Sequence, residues 1–201
     1  GPRRIIEEIS IENLYNSELY EKNKTYTDEE IIDEKTDIIK EILIKSGCWT
    51  YIRQRPFSKI ADPKDKPKSI FISGFNTAPH APNIEFILNQ DSKGLQAGIN
   101  TLSKLTDGNI HLSIVKNVSN ERLNSLENVK LHVFSGPHPA GNVGIQIHHI
   151  DPINIGDKVW YVDIQDVLAI GQQLLNGYFS TMKYITISGE GVDDPCHMRV
   201  R

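Results

Sequence analysis

The chain has 201 residues, of which 38% are hydrophobic and 24% charged, and a formal net charge of −4. That length holds one well-cored domain with an appendage, and the acidic balance argues against a general nucleic-acid binder, which needs a basic surface to displace counterions. No run of about 18 apolar residues is present to span a membrane, and no signal peptide opens the chain, so the expected compartment is the cytoplasm.

The opening Gly-Pro reads as a processing scar and is set aside. Residues 3–12, RRIIEEISIE, alternate Ile5, Ile9 and Ile11 with charged neighbours, as a half-buried strand does. Residues 13–26 are polar and aperiodic. Thr27 with Glu30 then forms a capping box, in which hydroxyl and carboxylate each satisfy a free backbone donor at a helix start. Ile31, Ile32, Ile38, Ile39, Ile42 and Leu43 follow at helical spacing, and Gly47 ends the pattern as a left-handed cap. Residues 47–68 hold six cationic side chains (Arg53, Arg55, Lys59, Lys64, Lys66 and Lys68) against Asp62 and Asp65. Such a segment faces a partner or an anionic head group, or is a solvated linker.

From Lys68 onward short strands alternate with helices. KSIFIS (68–73) is a strand, and Leu95, Ile99, Leu102 and Leu105 mark a helix in which Gly94 and Gly98 allow close packing. NIHLSIV (109–115) is a strand, NERLNSL (120–126) a short helix, and KLHVFSG (130–136) a strand. VWYVD (159–163) leads into a helix capped by Asp163 and closed near Gly177, and KYITISG (183–189) is the last strand. This alternation predicts an α/β fold, a mostly parallel sheet built from crossover units with helices on both faces. The first strand has no hairpin mate and the chain stops twelve residues after the last one, so both ends read as cut from something longer.

Nucleotide motifs fail one by one. GFNTAPHAP after Ser73 has one glycine, and GEGVDD after Ser188 puts Asp194 where the third glycine of G-x-G-x-x-G belongs. The stretch FSGPHPAGNVGIQIHHIDP (134–152) has the G-x-x-x-x-G spacing of a P-loop between Gly136 and Gly141. Pro137 and Pro139 each delete an N–H there, and Asn142 and Val143 stand where Lys and Ser/Thr are required. His148 and His149 lie in an extended-looking run, which turns them to opposite faces and denies them a shared metal ion. Neither H-x-x-x-H nor G-x-S-x-G occurs. Cys48 and Cys196 stand apart without companions, so reduced thiols are expected rather than a disulfide framework or a zinc site. The stretch 134–152 is thus read as a rigid strand-to-loop turn: Gly136, Gly141 and Gly144 supply backbone freedom, Pro137 and Pro139 fix it, and His138 is the side chain to mutate first.

CWTYIRQRPFSKI (48–60) interleaves Trp49, Tyr51 and Phe57 with Arg53, Arg55 and Lys59. That combination suits stacking and hydrogen bonding to a flat, carbonyl-bearing ring, and equally an interdomain contact.

SGCWTYIRQRPFSKIADP, GPHPAGNVGIQIHHIDP and VWYVDIQDVLAIGQQLLNGYF, in this order and spacing, resemble the NqrA family, one of the subunits of the bacterial sodium-translocating NADH:quinone oxidoreductase, Na+-NQR. The resemblance runs from about Arg3 to the end. It implies a Rossmann-like domain at 68–201, cut before a ubiquitin-like domain. A linker and helical arm would precede it at 13–67, and the closing strand of a missing lipoyl-like domain at 1–12. It further implies a peripheral position on the cytoplasmic face of the inner membrane, in a complex that oxidises NADH, reduces quinone and exports sodium. The chain itself would bind no cofactor, the flavins and iron–sulfur centre being held by other subunits, among which a quinone-associated membrane subunit is the expected partner. Quinone would be the substrate of the complex. Arg53, Arg55, Phe57, Ser58, Lys59 and Trp49 then become candidates for the quinone ring, or else for an interface in an assembly scaffold without catalysis. No catalytic residue and no metal ligand is expected, and the isolated chain is expected to be inert.

Overall fold

The computed structural model describes residues 22–90, 93–116, 123 and 125–201. The strand expected at 3–12 and most of the helix expected at 120–126 lie outside these residues. The capping box at Thr27 is formed: its amide donates to Glu30 Oε2 at 2.8 Å and its hydroxyl accepts from the Glu30 amide at 3.3 Å. The single helix expected to follow is two, α1 (Asp28–Asp33) and α2 (Thr36–Lys45), because Glu34 and Lys35 are extended. The break still leaves Ile31, Ile39 and Leu43 in the core. Gly47 takes the left-handed conformation, with φ +82°, and a 3-10 turn over Cys48–Tyr51 follows.

Six strands form the main sheet: β1 (Arg53–Arg55), β2 (Lys59–Ile60), β3 (Ser69–Gly74), β4 (Ile110–Val115), β5 (Lys130–Phe134) and β6 (Val159–Asp163), in the order β2-β1-β6-β3-β4-β5. β3, β4, β5 and β6 run parallel, and β1 and β2 are added antiparallel at the β6 edge. The parallel strands are thus third, second, first and fourth in chain order, a doubly wound arrangement whose direction reverses between β3 and β6. The short antiparallel pair was not legible in the sequence, since three and two residues carry no usable alternation.

Two layers cover the sheet. On one face lie α4 (Lys93–Ser103) and α6 (Ile164–Asn176), packed over Ile70, Ile72, Leu112, Trp160 and Val162. Their crossing is made of main chain, as Gly94 and Gly98 led one to expect. A β-carbon on Gly98 would meet the Val167 carbonyl, and one on Gly171 would meet the Gly94 carbonyl. Asp163 caps α6 by accepting from the Gln165 amide at 2.9 Å, and Gly177 closes the helix in the left-handed region. A further helix, α3 (Ile84–Gln90), follows the loop after β3.

On the other face lies α5 (Val143–Ile150). This corrects the extended reading of IQIHHI: Val143, Ile147 and Ile150 recur at i, i+4 and i+7 and pack on Phe71 and Val159. His148 and His149 therefore sit about 100° apart on an exposed helix surface. They do not flank a strand.

The last strand of the sequence reading, β7 (Lys183–Ile187), does not enter the main sheet. It pairs antiparallel with β8 (Cys196–Val200), an additional strand, in a separate two-stranded unit. Tyr184 packs edge-on against Phe86 of α3 on one side, while Ile185 and Ile187 on the other remain 36% and 38% exposed.

Candidate functional site

The β1–β2 hairpin carries most of the side chains singled out above. Strand alternation divides them. Gln54 faces the core and accepts from the Trp160 indole N–H at 3.3 Å, whereas Arg53 and Arg55 share the opposite face with Tyr161. The Arg55 guanidinium lies 5.3 Å from the centre of the Tyr161 ring. The Tyr161 hydroxyl donates to Ser58 at 3.2 Å, which ties the turn back to β6. Phe57 and Ser58 both hold positive φ, +75° and +50°. Side-chain-bearing residues adopt that region at roughly 1–2 kcal/mol each. Phe57 stands 88% exposed at the tip, and Lys59 is exposed beside it. Trp49 is placed elsewhere: buried, edge-on to Trp160 at 5.6 Å, with its N–H donating to the Ala61 carbonyl at 2.8 Å. It is a core side chain that fixes where the hairpin begins.

Beside the hairpin lies an open hollow of about 490 Å3, lined by Thr50, Tyr51, Arg53, Ile60, Tyr161, Asp163 and Asp166. Lys183 pairs with Asp166 at 2.6 Å and lies 4.8 Å from the centre of the Tyr51 ring. Burial pulls the Lys183 ammonium down, but the hydrogen bond to Asp166 and its charge outweigh this and hold it above the ordinary lysine value. Burial pushes the Tyr51 phenol up. Arg53, Arg55 and Lys59 have no anionic partner among the described residues.

The turn at 135–142 joins β5 to α5, the strand-loop-helix context of a P-loop, and its chemistry is spent internally. The Ala140 amide donates to Pro137 O, the Asn142 amide to Pro139 O, and the Gly141 amide to Thr77 Oγ1. Gln146, fully buried, donates through Nε2 to both Phe75 O and Gly141 O at 3.1 Å. His138 Nδ1 lies 3.2 Å from Thr77 Oγ1. The turn is therefore a latch between the loops that follow β3 and β5. Of its glycines, Gly136 uses its freedom, at φ +134°. Gly141 is required because a β-carbon would run into the Thr77 backbone. Gly144 is an ordinary helical residue of α5, which corrects its reading as part of the turn. A β-carbon there would lie 3.8 Å from Arg55 Nη2, and this is where the two stretches meet.

Two features escaped the sequence reading. At the carboxyl ends of β3 and β6, where the winding reverses, a crevice of about 360 Å3 opens between the loop after β3 and the start of α6; Asn76, Asn83, Asp163, Gln165 and His197 supply its polar lining. Burial pushes the Asp163 carboxyl upward, against the hydrogen bond from the Gln165 amide, which pulls it down. More than a third of the residue still reaches solvent, so that burial is partial. On the α5 face, His111 Nδ1 and His132 Nε2 lie 2.9 Å apart, and His111 stacks on Phe71 at 4.7 Å. Burial, then the neighbouring His132, pulls His111 down to about 4. The described residues contain no group of three or more His, Cys, Asp or Glu placed to hold a metal ion. Cys48 is buried and Cys196 exposed, and both are free thiols.

The family model described as NqrA second alpha/beta domain matches residues 34–179. The chain is 34% identical, over all 201 residues, to the NqrA subunit of the Na(+)-translocating NADH-quinone reductase of Histophilus somni strain 129Pt, and 34% identical to that of Yersinia pestis. The corresponding protein from Vibrio anguillarum is 33% identical. In each case the match covers the whole of this chain and 44% of the relative, so the chain spans less than half their length. In three dimensions it is similar to a chain of an NAD+-reducing NiFe-hydrogenase in the air-oxidised state, with TM-score 0.60 and 15% identity over 88% of this chain and 39% of that one. At that identity the likeness concerns the α/β fold alone. The chain belongs to the NqrA family, and residues 34–179 are its second alpha/beta domain.

Proposed function

We propose that this chain works as part of the NqrA subunit of a sodium-translocating NADH:quinone reductase, and that its β1–β2 hairpin and the hollow beside it form a contact for the quinone ring. The relatives' shared name supports the first part. The second rests on one observation: Arg53, without an anionic partner among the described residues, lines a hollow together with Tyr51 and Tyr161. A guanidinium donates to a quinone carbonyl and steadies the negative charge that grows on reduction, and the two tyrosines supply an aromatic wall beside it. Arg55, Ser58 and Lys59 border the ring, and Phe57 extends past it. Electrons come from the flavins and iron–sulfur centre of neighbouring subunits, and this chain holds no redox cofactor of its own. The isolated chain is inert. In the complex it sits peripherally at the cytoplasmic face, against the quinone-associated membrane subunit. No described helix is long and apolar enough to cross a membrane.

An assembly role is the second reading, and the locking of the hairpin favours it: Arg55 on Tyr161, Tyr161 on Ser58, and Trp49 in the core. Titrating the 201-residue chain with duroquinone, a fully methylated quinone that does not alkylate thiols, separates the two. Backbone amide resonances of residues 53–55 and 57–60 are expected to shift, and Arg53→Ala to abolish the shift. Silence of these resonances at millimolar quinone, together with loss of co-purification of the complex when full-length NqrA carries Arg55→Ala, would sink the quinone reading and leave the scaffold.

A further inference from the structure

Three carboxamides line the crevice at the carboxyl ends of β3 and β6, and in each the oxygen is already committed. Asn76 Oδ1 accepts from the Ala78 amide at 2.9 Å, Asn83 Oδ1 from the Glu85 amide at 2.7 Å, and Gln165 Oε1 from the Tyr184 amide at 2.9 Å. A backbone N–H can only donate, so these bonds fix which end of each amide is oxygen. The three NH2 groups are left over, and none has a partner among the described residues. Ile84, Ile87, Val115, Pro82 and Ile164 supply the apolar part of the same lining. Unbonded donors beside an apolar floor, in a cavity of several hundred Å3, match the composition of a small-molecule pocket. Open α/β sheets place such pockets where the winding reverses.

The nature of the donors and of the neighbouring charge narrows the ligand. In nucleotide-binding proteins of this architecture the helix N-terminus at this point attracts phosphate. Here the α6 N-terminus is occupied by Asp163, whose Oδ1 accepts from the Gln165 amide at 2.9 Å. A carboxylate seated on that helix end takes the place a bound anion would need and disfavours one. We infer that this crevice binds a neutral, planar ring through its carbonyl oxygens, a quinone or a pyrimidine-dione, and rejects phosphorylated ligands. Asp163 is the one lining residue this site has in common with the hairpin hollow, and the inference stands whether or not the hairpin touches quinone.

Side-chain NH2 resonances of Asn76, Asn83 and Gln165 in the 201-residue chain report on the site directly. Titration with duroquinone, and separately with uracil, is expected to shift them in at least one case, while inorganic pyrophosphate leaves them unmoved. Gln165→Glu and Asn83→Asp keep the acceptor that each helix or strand amide needs and replace the free donor by a carboxylate oxygen. Each is expected to weaken binding at least about tenfold, the scale of one lost hydrogen bond with an orphaned partner. Lys64→Ala, at a residue that lines neither the crevice nor the hollow, is expected to leave the affinity unchanged. If pyrophosphate shifts these resonances, or if neither ring shifts them at millimolar concentration while the spectrum stays well dispersed, the inference is wrong. The same holds if both acidic variants bind as tightly as the parent chain.

Discussion

Gly141 and Thr77 occupy one another's space. The glycine amide donates to the threonine hydroxyl at 3.0 Å, and the threonine backbone stands where a β-carbon on the glycine would go. The loops after β3 and β5 thereby touch through residues 64 positions apart in sequence, at the carboxyl end of the sheet. Gly141→Ala is expected to destabilise the fold by more than about 2 kcal/mol, because backbone cannot yield as a side chain can. Thr77→Val, which loses only the hydroxyl's bonds, is expected to cost about 1–2 kcal/mol. Urea midpoints of the two variants measure the difference, and equal midpoints would remove the steric argument.

The α4–α6 crossing predicts a harsher result. Gly171→Ala drives a methyl into the Gly94 carbonyl, and Gly98→Ala drives one into the Val167 carbonyl. Loss of about 3 kcal/mol or more is expected from either, since the helices must separate to admit the group. The double variant is expected to cost less than the sum of the two, because one separation relieves both clashes. Thermal unfolding of the three variants tests this.

Stability is expected to fall in mild acid through His111. Above pH 6.5 its imidazole is neutral in both folded and unfolded chain. Between 6.5 and about 4 the unfolded chain takes up a proton that the folded chain refuses. The folded state thus loses ground as pH drops, by up to about 1.4 kcal/mol per pH unit for one proton, and the loss levels off below about 4. His132, lowered by its own burial and then by Lys130, adds in the same direction. His111→Phe keeps a ring against Phe71 and removes that proton, so its urea midpoint is expected to vary less between pH 7 and pH 4.5 than that of the parent.

The two thiols are expected to react on different terms. Cys196 lies exposed on β8. Cys48 is buried, and its thiol is pushed up by that burial despite the Ser46 hydroxyl nearby, so little thiolate forms to attack a reagent. A disulfide reagent at pH 8 is expected to titrate one thiol in the folded chain and two in guanidinium. Two fast thiols in the folded chain would contradict the placement of Cys48.

Helix boundaries were the most legible part of the sequence. Thr27 with Glu30, Gly47, Asp163 and Gly177 each carry a local backbone reason to stop or start a helix, and each stands where it was expected. The parallel strands were legible because burial on both faces makes them continuous apolar runs. The α5 helix was not, since eight residues satisfy a period of 2 and a period of 3.6 almost equally well. The break at Glu34 and Lys35 carries no glycine or proline to announce it. The latch was half visible: its glycines and prolines marked a turn, but Gln146 and Thr77 gave no local sign of what they would hold. The crevice was invisible because its donors come from residues 76, 83 and 165, ordinary amides until the fold gathers them. Trp49 looked like a ring-binding aromatic because composition does not distinguish a stacking platform from a core side chain.

The glycine crossing of α4 and α6 also has a mechanical meaning. Contacts between side chains can be adjusted by changing rotamers, but a contact between two main chains has no such play, so the two helices behave as one stiff beam laid across the sheet. Asp163 sits at one end of that beam, on the wall shared by the hollow and the crevice. A load applied there, by a bound ring or a docked protein, would be carried undamped along the length of α4.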